Sequence, residues 1–120
     1  MVHVADSHIS RDMQTCIDSC SDCHGVCLEL IDHCLRFGGE HSRPHHIKQL
    51  QDCAEVCQVV LNAMLRVSSH YPRLCEVCAE VCDACGRDCA RAAREDPVLL
   101  QGAEVCRTCA DHCRSLEQAA

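Results

Sequence analysis

The cysteines are the residues of this sequence best suited to chemistry, because 15 of its 120 residues are cysteine. Most stand four residues apart, a spacing that puts two thiols on one face of an α-helix, one turn apart. Thiols in this number can serve as metal ligands, as redox partners or as small core residues. The pairs are Cys16/Cys20, Cys23/Cys27, Cys53/Cys57, Cys78/Cys82, Cys85/Cys89 and Cys109/Cys113, and the other cysteines are Cys34, Cys75 and Cys106.

Helical geometry turns these spacings into narrow stripes of sulfur. With about 100° per residue, the cysteines of residues 16–34 fall within roughly 60° of arc, those of residues 75–89 within about 80°, and those of residues 106–113 within about 60°. Helices that form a bundle turn such stripes toward a common axis. The spacing therefore predicts a bundle whose core is lined with thiols.

Three breaks divide the chain into the elements that must position these thiols. Gly-Gly and Pro occur within residues 38–44, Ser-Ser and Pro within 68–72, and Asp-Pro at 96–97, and such residues are typical of helix ends. Between the breaks, apolar residues recur at three- and four-residue spacing, which indicates amphipathic helices. Short connections favour antiparallel neighbours. We predict an all-α, antiparallel up-down-up-down four-helix bundle with a cysteine-lined core, one domain over residues 1–120, with helices near 8–37, 43–69, 71–94 and 97–117.

Charge and composition exclude several classes of protein. The formal net charge is −7, with no Trp, one Tyr and one Phe, so neither a basic patch nor stacking aromatics are available for nucleic acid. Residues 1–14 lack the basic start and apolar run of a signal peptide. No apolar stretch reaches the roughly 18 residues of a membrane span. We therefore expect a cytoplasmic protein, in a compartment where thiols stay reduced.

Neither inert packing nor disulfide bonding accounts for the cysteines. Ala, Val or Leu would fill the same core volume without the risk of oxidation. Two cysteines at i and i+4 have nearly parallel Cα–Cβ bonds, which is an unfavourable orientation for a bridge. The odd number of cysteines also leaves one unpaired in a purely intrachain disulfide framework. Metal binding remains.

The spacing favours Cu(I) among thiophilic metals. Zinc prefers four ligands in a tetrahedron, and we expect straight helices not to wrap four thiolates around one ion easily. Iron–sulfur clusters usually draw their ligands from loops. Cu(I) is soft and accepts two or three thiolates, so two thiols one turn apart can clasp it. If each thiolate bridges two ions, the capacity is on the order of 15 Cu(I) per chain.

The metal-free protein must hold these groups as neutral thiols, because 15 buried thiolates without metal are prohibitive. Loading then releases about one proton per thiol, and the apo-protein is predicted to be folded.

A second apolar strip on the first two predicted helices, offset from the cysteines, suggests contact with another chain, although packing between adjacent helices is the alternative. Its residues are Ile17, Leu28, Leu35, Ile47, Leu61 and Leu65.

Several segments of the sequence resemble the bacterial copper storage proteins, in particular the cytosolic branch. The resemblance covers nearly the whole chain, and its stacked Cys-x-x-x-Cys pattern is specific. The segments are DMQTCIDSCSDCHGVCLELIDHC, GGEHSRPHHI, DCAEVC and HYPRLCEVCAEVCDACGRDC. It implies a homotetramer of four-helix bundles that stores Cu(I), with all fifteen cysteines as ligands.

Some members of this family add Met or His ligands at a bundle end. The candidates here are Met13 and Met64, which should meet at one end, and His46 at the other, although buried Met is more often core packing. His41, His45 and His46 cluster near the first turn, where they either form an entry for copper or a solvated turn. We expect the histidines that lie off the cysteine stripes at the surface or at an interface, namely His24, His33 and His112.

Three other functions remain as alternatives to Cu(I) storage. They are zinc or multi-metal sequestration of the metallothionein type, redox chemistry on a metal–thiolate cluster, and copper delivery as a chaperone. An enzyme is not expected, since catalytic metal sites keep an open position and no Ser/His/Asp or Cys/His/Asn grouping is evident. Copper donor or acceptor proteins are the expected partners, with no nucleic acid and no membrane.

Overall fold

The chain forms four helices around one core in a computed structural model that describes residues 7–116. No strand occurs within that range, so the predicted all-α class is confirmed. A short 3₁₀ turn, Gly39–Ser42, links the first two helices. The predicted end of the last helix, at 117, lies outside the described residues. The helices are α1 Arg11–Phe37, α2 Pro44–Leu65, α3 Tyr71–Ala93 and α4 Pro97–Leu116.

Two helix boundaries differ from the prediction by more than one residue, each because of a local cap. The helix α1 begins at Arg11 rather than near 8, since the Ser10 side chain accepts a hydrogen bond from the Met13 amide at 3.1 Å and so caps the helix. The helix α2 ends four residues before the predicted 69. There Val67 adopts φ 51°, and the Ser68 amide donates to a carbonyl of the last turn at 2.8 Å.

Contacts between cysteines show the direction of each helix. Successive cysteines of α1 contact cysteines progressively earlier in α4, and the same reversal relates α2 to α3. Neighbouring helices are therefore antiparallel, as predicted. The Sγ–Sγ distances are 3.5 Å for Cys16–Cys113, 3.9 Å for Cys23–Cys106, 3.9 Å for Cys57–Cys78 and 3.7 Å for Cys53–Cys82.

The core consists of the cysteines together with a small set of aliphatic side chains. The latter flank the thiols, and their burial supplies the hydrophobic part of the stability. None of the helices within residues 7–116 is both long and apolar enough to cross a bilayer. The fully buried aliphatic side chains include Ile17, Leu50, Val60, Met64 and Leu99.

The second apolar strip divides into a buried and an exposed part. Ile17 and Leu61 belong to the bundle core, which is the packing alternative considered above. Leu28, Leu35 and Leu65 are 50%, 57% and 39% exposed in the single chain. Only this exposed part remains available for another chain.

Glycine at position 86 lets α3 and α4 approach closely. A Cβ added to Gly86 would lie 3.3 Å from the Ala103 carbonyl oxygen and 3.4 Å from Cys106 Cβ, closer than comfortable packing allows. Gly25, in the middle of α1, has nothing within 4 Å of the same position. Gly25 and Gly86 therefore differ in the free-energy cost of adding a side chain.

We predict opposite effects of filling these two glycines. Gly25→Ala should raise the free energy of unfolding by up to about 1 kcal/mol, because Ala is the better helix former. Gly86→Val should lower it by about 1–3 kcal/mol through overpacking. Chemical denaturation of the reduced apo-protein measures both, and equal effects of the two substitutions would contradict the close α3–α4 contact.

Candidate metal centre

The fifteen thiols form a continuous column along the bundle axis. Every cysteine side chain is 0% exposed, and none is in a disulfide. Neighbouring sulfurs from different helices lie between 3.5 and 4.0 Å apart. The alignment of four cysteine stripes, predicted from spacing alone, thus becomes direct sulfur–sulfur contact.

Groups of four sulfurs occur within this column, each with all its atoms within 4.8 Å of one another. Some cysteines, such as Cys57 and Cys82, belong to two groups. The thiolate of such a residue could therefore bind a metal ion in each of its two groups. The groups are Cys20/Cys78/Cys109/Cys113, Cys23/Cys53/Cys57/Cys82, Cys23/Cys27/Cys53/Cys106 and Cys57/Cys78/Cys82/Cys109, and a three-sulfur group is Cys16/Cys75/Cys113.

These groups overturn one sequence-based argument against zinc. We expected straight helices not to gather four thiols, yet cysteines from three helices do so, because antiparallel packing interleaves their stripes. The edge of a tetrahedral zinc–thiolate site is about 3.8 Å, which matches the spacing found here. Geometry alone therefore does not select copper. The sharing of thiols between groups favours Cu(I), because this ion accepts only two or three ligands. A shared thiol can then bridge two Cu(I) ions, one in each group.

Burial opposes the ionisation of the metal-free thiols. It raises the pKa of the Cys34 thiol to about 12, with repulsion from Cys89 and Asp96 as further causes. Hydrogen bonds link neighbouring thiols within the column, and in most of them either sulfur can be the donor. The contact between Cys23 and Cys106 lowers the pKa of Cys23 and raises the pKa of Cys106. A metal ion must therefore displace thiol protons as it enters.

His46 lies at one end of the column, as predicted from its position on a cysteine stripe. Its Nε2 is 3.4 Å from Cys34 Sγ, and its Nδ1 is 2.7 Å from Asp88 Oδ2. The imidazole is 3% exposed. When Nδ1–H donates to Asp88, Nε2 keeps its lone pair toward the sulfur, which is the arrangement of an oriented metal-binding histidine.

Asp88 is a site residue that sequence reasoning missed. Burial opposes its ionisation, but hydrogen bonds from His46 and Arg91 lower the pKa of this carboxyl below its usual value. The sequence placed His46 on a cysteine stripe but gave no sign of Asp88, whereas the structure joins Cys34, His46 and Asp88. They come from three different helices, so no local pattern could reveal them.

Met13 and Met64 are both buried, 5% and 0% exposed. Met13 lies in the first turn of α1 and Met64 in the last turn of α2, so the antiparallel arrangement puts them at the end opposite His46. The group of Cys16, Cys75 and Cys113 lies at that end too. Two thioethers and three thiols are thus the soft donors there.

Three further histidines are more buried than expected and make hydrogen bonds within the chain. His24, His33 and His112 are half-buried, not merely at the surface, and each hydrogen bonds to another part of the same chain. The partners are the Ala54 carbonyl for His24 at 2.7 Å, Asp96 for His33 at 2.7 Å, and Ser19 for His112.

The three histidines near the first turn do not form a single cluster. His41 turns to Asp96 at 2.9 Å and stacks on Phe37 with ring centroids 3.9 Å apart, whereas His46 faces the sulfur column. His45 is exposed and lines, with His46 and Asp88, a cavity of about 450 Å³. His46 lines this cavity and also contacts Cys34 of the sulfur column.

Comparison with known proteins decides between the metals. Residues 9–118 match the family described as copper storage protein. The chain belongs to the copper storage protein family. The storage of Cu(I) by thiols that line a four-helix bundle is its function, and the resemblance stated from the sequence is confirmed.

Relatives cover nearly the whole chain. A cysteine-rich protein of Bacillus subtilis, YhjQ, is 31% identical over 103 residues, 86% of this chain and 94% of the relative. A solved protein of Nitrosospira multiformis has a TM-score of 0.84 at 39% identity, covering 92% of this chain and 98% of its own. The Cu(I)-bound copper storage protein BsCsp3 has a TM-score of 0.82 at 30% identity, with 89% and 99% covered. The Streptomyces lividans protein Ccsp, loaded with 10 copper equivalents, has a TM-score of 0.81 at 30% identity. The match covers 99% of this chain and 95% of that protein.

The burial of the thiols predicts their reactivity. In the reduced apo-protein, a reagent that modifies thiols by disulfide exchange should react with all 15 cysteines slowly and at one rate. Access to the thiols requires opening of the bundle. In denaturant the same number should react at once. A subset that reacts rapidly under native conditions would contradict a closed sulfur column.

Proposed function

We propose that all fifteen cysteines bind Cu(I), to a capacity on the order of 15 ions per chain, since each thiolate can bridge two ions and each ion can take two thiolates. The observation that carries this proposal is the continuous column of contacting sulfurs, in which the same residues belong to more than one group.

Charge balance governs loading in this proposal. Each Cu(I) ion that enters replaces a thiol proton, so the core stays nearly neutral at every stage. The bundle itself does not depend on metal, because buried neutral thiols already pack as small apolar groups. Loading and unloading can then proceed within one fold.

His46, Met13 and Met64 complete the donor set at the two ends of the column. His46 offers an imidazole nitrogen beside Cys34, oriented by Asp88. The two methionines offer thioethers beside the three-sulfur group. Because these ligands terminate the column, their loss should affect the end positions and leave the central ions in place.

The same features bear on catalysis, cellular location, oligomeric state and partners. A column whose donors are saturated by neighbouring ions keeps no open position for a substrate, which argues against an enzyme. A cytoplasmic location suits thiols that must remain reduced. The exposed leucines Leu28, Leu35 and Leu65 supply an apolar surface for a homotetramer. Copper donor and acceptor proteins would exchange metal at a bundle end.

Anaerobic titration tests the capacity. Cu(I) added to the reduced apo-protein against a competing chelator should bind to about one ion per thiol, with release of about one proton per thiol. Zn(II) should stop near three or four ions, since each needs four thiolates. A Cu(I) plateau of about four or fewer would contradict a continuous store and support a small-cluster protein instead.

Removal of two central thiols tests the assignment of ligands. Cys53→Ala together with Cys57→Ala should lower the Cu(I) capacity by a few ions while the helical circular dichroism of the apo-protein is preserved. Val60→Ala is a matched control on the same helix, because Val60 is buried but carries no donor. The control should lower stability by about 1–2 kcal/mol and leave capacity unchanged. Equal capacity in the double variant and the wild type would contradict the assignment.

A further inference from the structure

A second cluster of metal-binding side chains lies outside the sulfur column. His33 Nε2 and His41 Nε2 approach the same carboxylate oxygen, Asp96 Oδ2, at 2.7 and 2.9 Å. The cluster joins the end of α1, the 3₁₀ turn and the turn between α3 and α4. His41 and Asp96 have side chains only 6% and 9% exposed, and His33 is 30% exposed.

The donors of this cluster differ in kind from those of the column. Two imidazole nitrogens and one carboxylate oxygen suit divalent ions of borderline softness, whereas Cu(I) is drawn to thiolates. We propose that His33, His41 and Asp96 form a second metal site, which binds one divalent ion of the Zn(II) class. The two metals then occupy separate sites of one chain.

The geometry requires only a small adjustment for such an ion. Zinc binds nitrogen at about 2.0–2.1 Å, so two tetrahedral ligands stand about 3.3 Å apart, and each imidazole must retreat by roughly half an ångström from the oxygen. His33 is exposed enough to move. Stacking on Phe37, at a centroid distance of 3.9 Å, holds the ring of His41 in place.

The carboxylate is divided between two tasks. Asp96 Oδ1 accepts a hydrogen bond from the Val98 amide at 3.0 Å and caps α4. Its Oδ2 is left for the two imidazoles, and a metal ion would lie between this oxygen and the two Nε2 atoms. A cavity of about 510 Å³ is lined by His41 and Asp96, with room for a water as fourth ligand. Three protein ligands and one exchangeable position describe a labile site.

The experiment uses copper-saturated protein, so that the thiols are already occupied. Under anaerobic conditions, Co(II) and Zn(II) are titrated in turn into this protein, and bound metal is counted after equilibrium dialysis. We expect one divalent ion per chain above the copper content. The visible spectrum of bound Co(II) should lack the intense charge-transfer bands of thiolate ligation. Absence of any bound divalent ion would overturn the proposal.

Three variants assign the ion to these residues. His33→Ala, His41→Ala and Asp96→Asn should each weaken divalent binding at least tenfold while the copper content is unchanged. Asp96→Asn is the sharpest of them, because asparagine can still cap α4 and the fold is retained.

The matched control is His24→Ala, on the same helix as His33. His24 is also half-buried, and its ring nitrogen contacts the Ala54 carbonyl at 2.7 Å. Divalent binding should be unaltered in this variant. If Asp96→Asn and His41→Ala bind as tightly as the wild type, or if His24→Ala weakens binding equally, the proposed ligands are wrong.

Discussion

The cost of burying a charged sulfur without a partner is the constraint on which this structure depends. Fifteen thiols with 0% exposure are tolerable while protonated and become prohibitive as free thiolates. Burial accordingly raises the pKa of Cys34 to about 12. A monovalent, soft cation removes this cost ion by ion, because it delivers one charge for each proton displaced. A column of thiols is thus stable in two forms, fully protonated and fully metallated.

Four antiparallel helices suit this constraint, because each helix makes its backbone hydrogen bonds internally and leaves no unpaired backbone group facing the thiols. The side-chain column then needs no polar group other than sulfur until it reaches an end. Neighbouring stripes interleave, and Sγ atoms of different helices come within 3.5–4.0 Å. Glycine at position 86 allows α3 and α4 to approach closely. The backbone therefore fixes the spacing of the donors before metal arrives, which lowers the ordering cost of binding.

Local spacing was enough to predict the column but not its cross-connections. The stripes on each helix follow from a period of 3.6 residues, so the class, the helix number and the burial of the cysteines were predictable. The four-sulfur groups were not, because each depends on the axial register of three helices. Cys34, His46 and Asp88 meet only through that register. Caps explain the errors in the helix bounds, since α1 begins at the Ser10 cap and α2 ends before the positive φ of Val67, features that periodicity does not record.

The two ends of the bundle are chemically unlike, and this difference gives the column a direction. One end offers the soft donors Met13 and Met64, whereas the other offers His46, oriented by Asp88 through a 2.7 Å contact. Water can replace a terminal imidazole ligand by breaking one metal–ligand bond. A thiolate that bridges two ions must break two such bonds before it is released. We propose that His46 holds an ion beside Cys34, and such an ion is released more readily than one in the middle of the column. Exchange at the histidine end follows from this proposal.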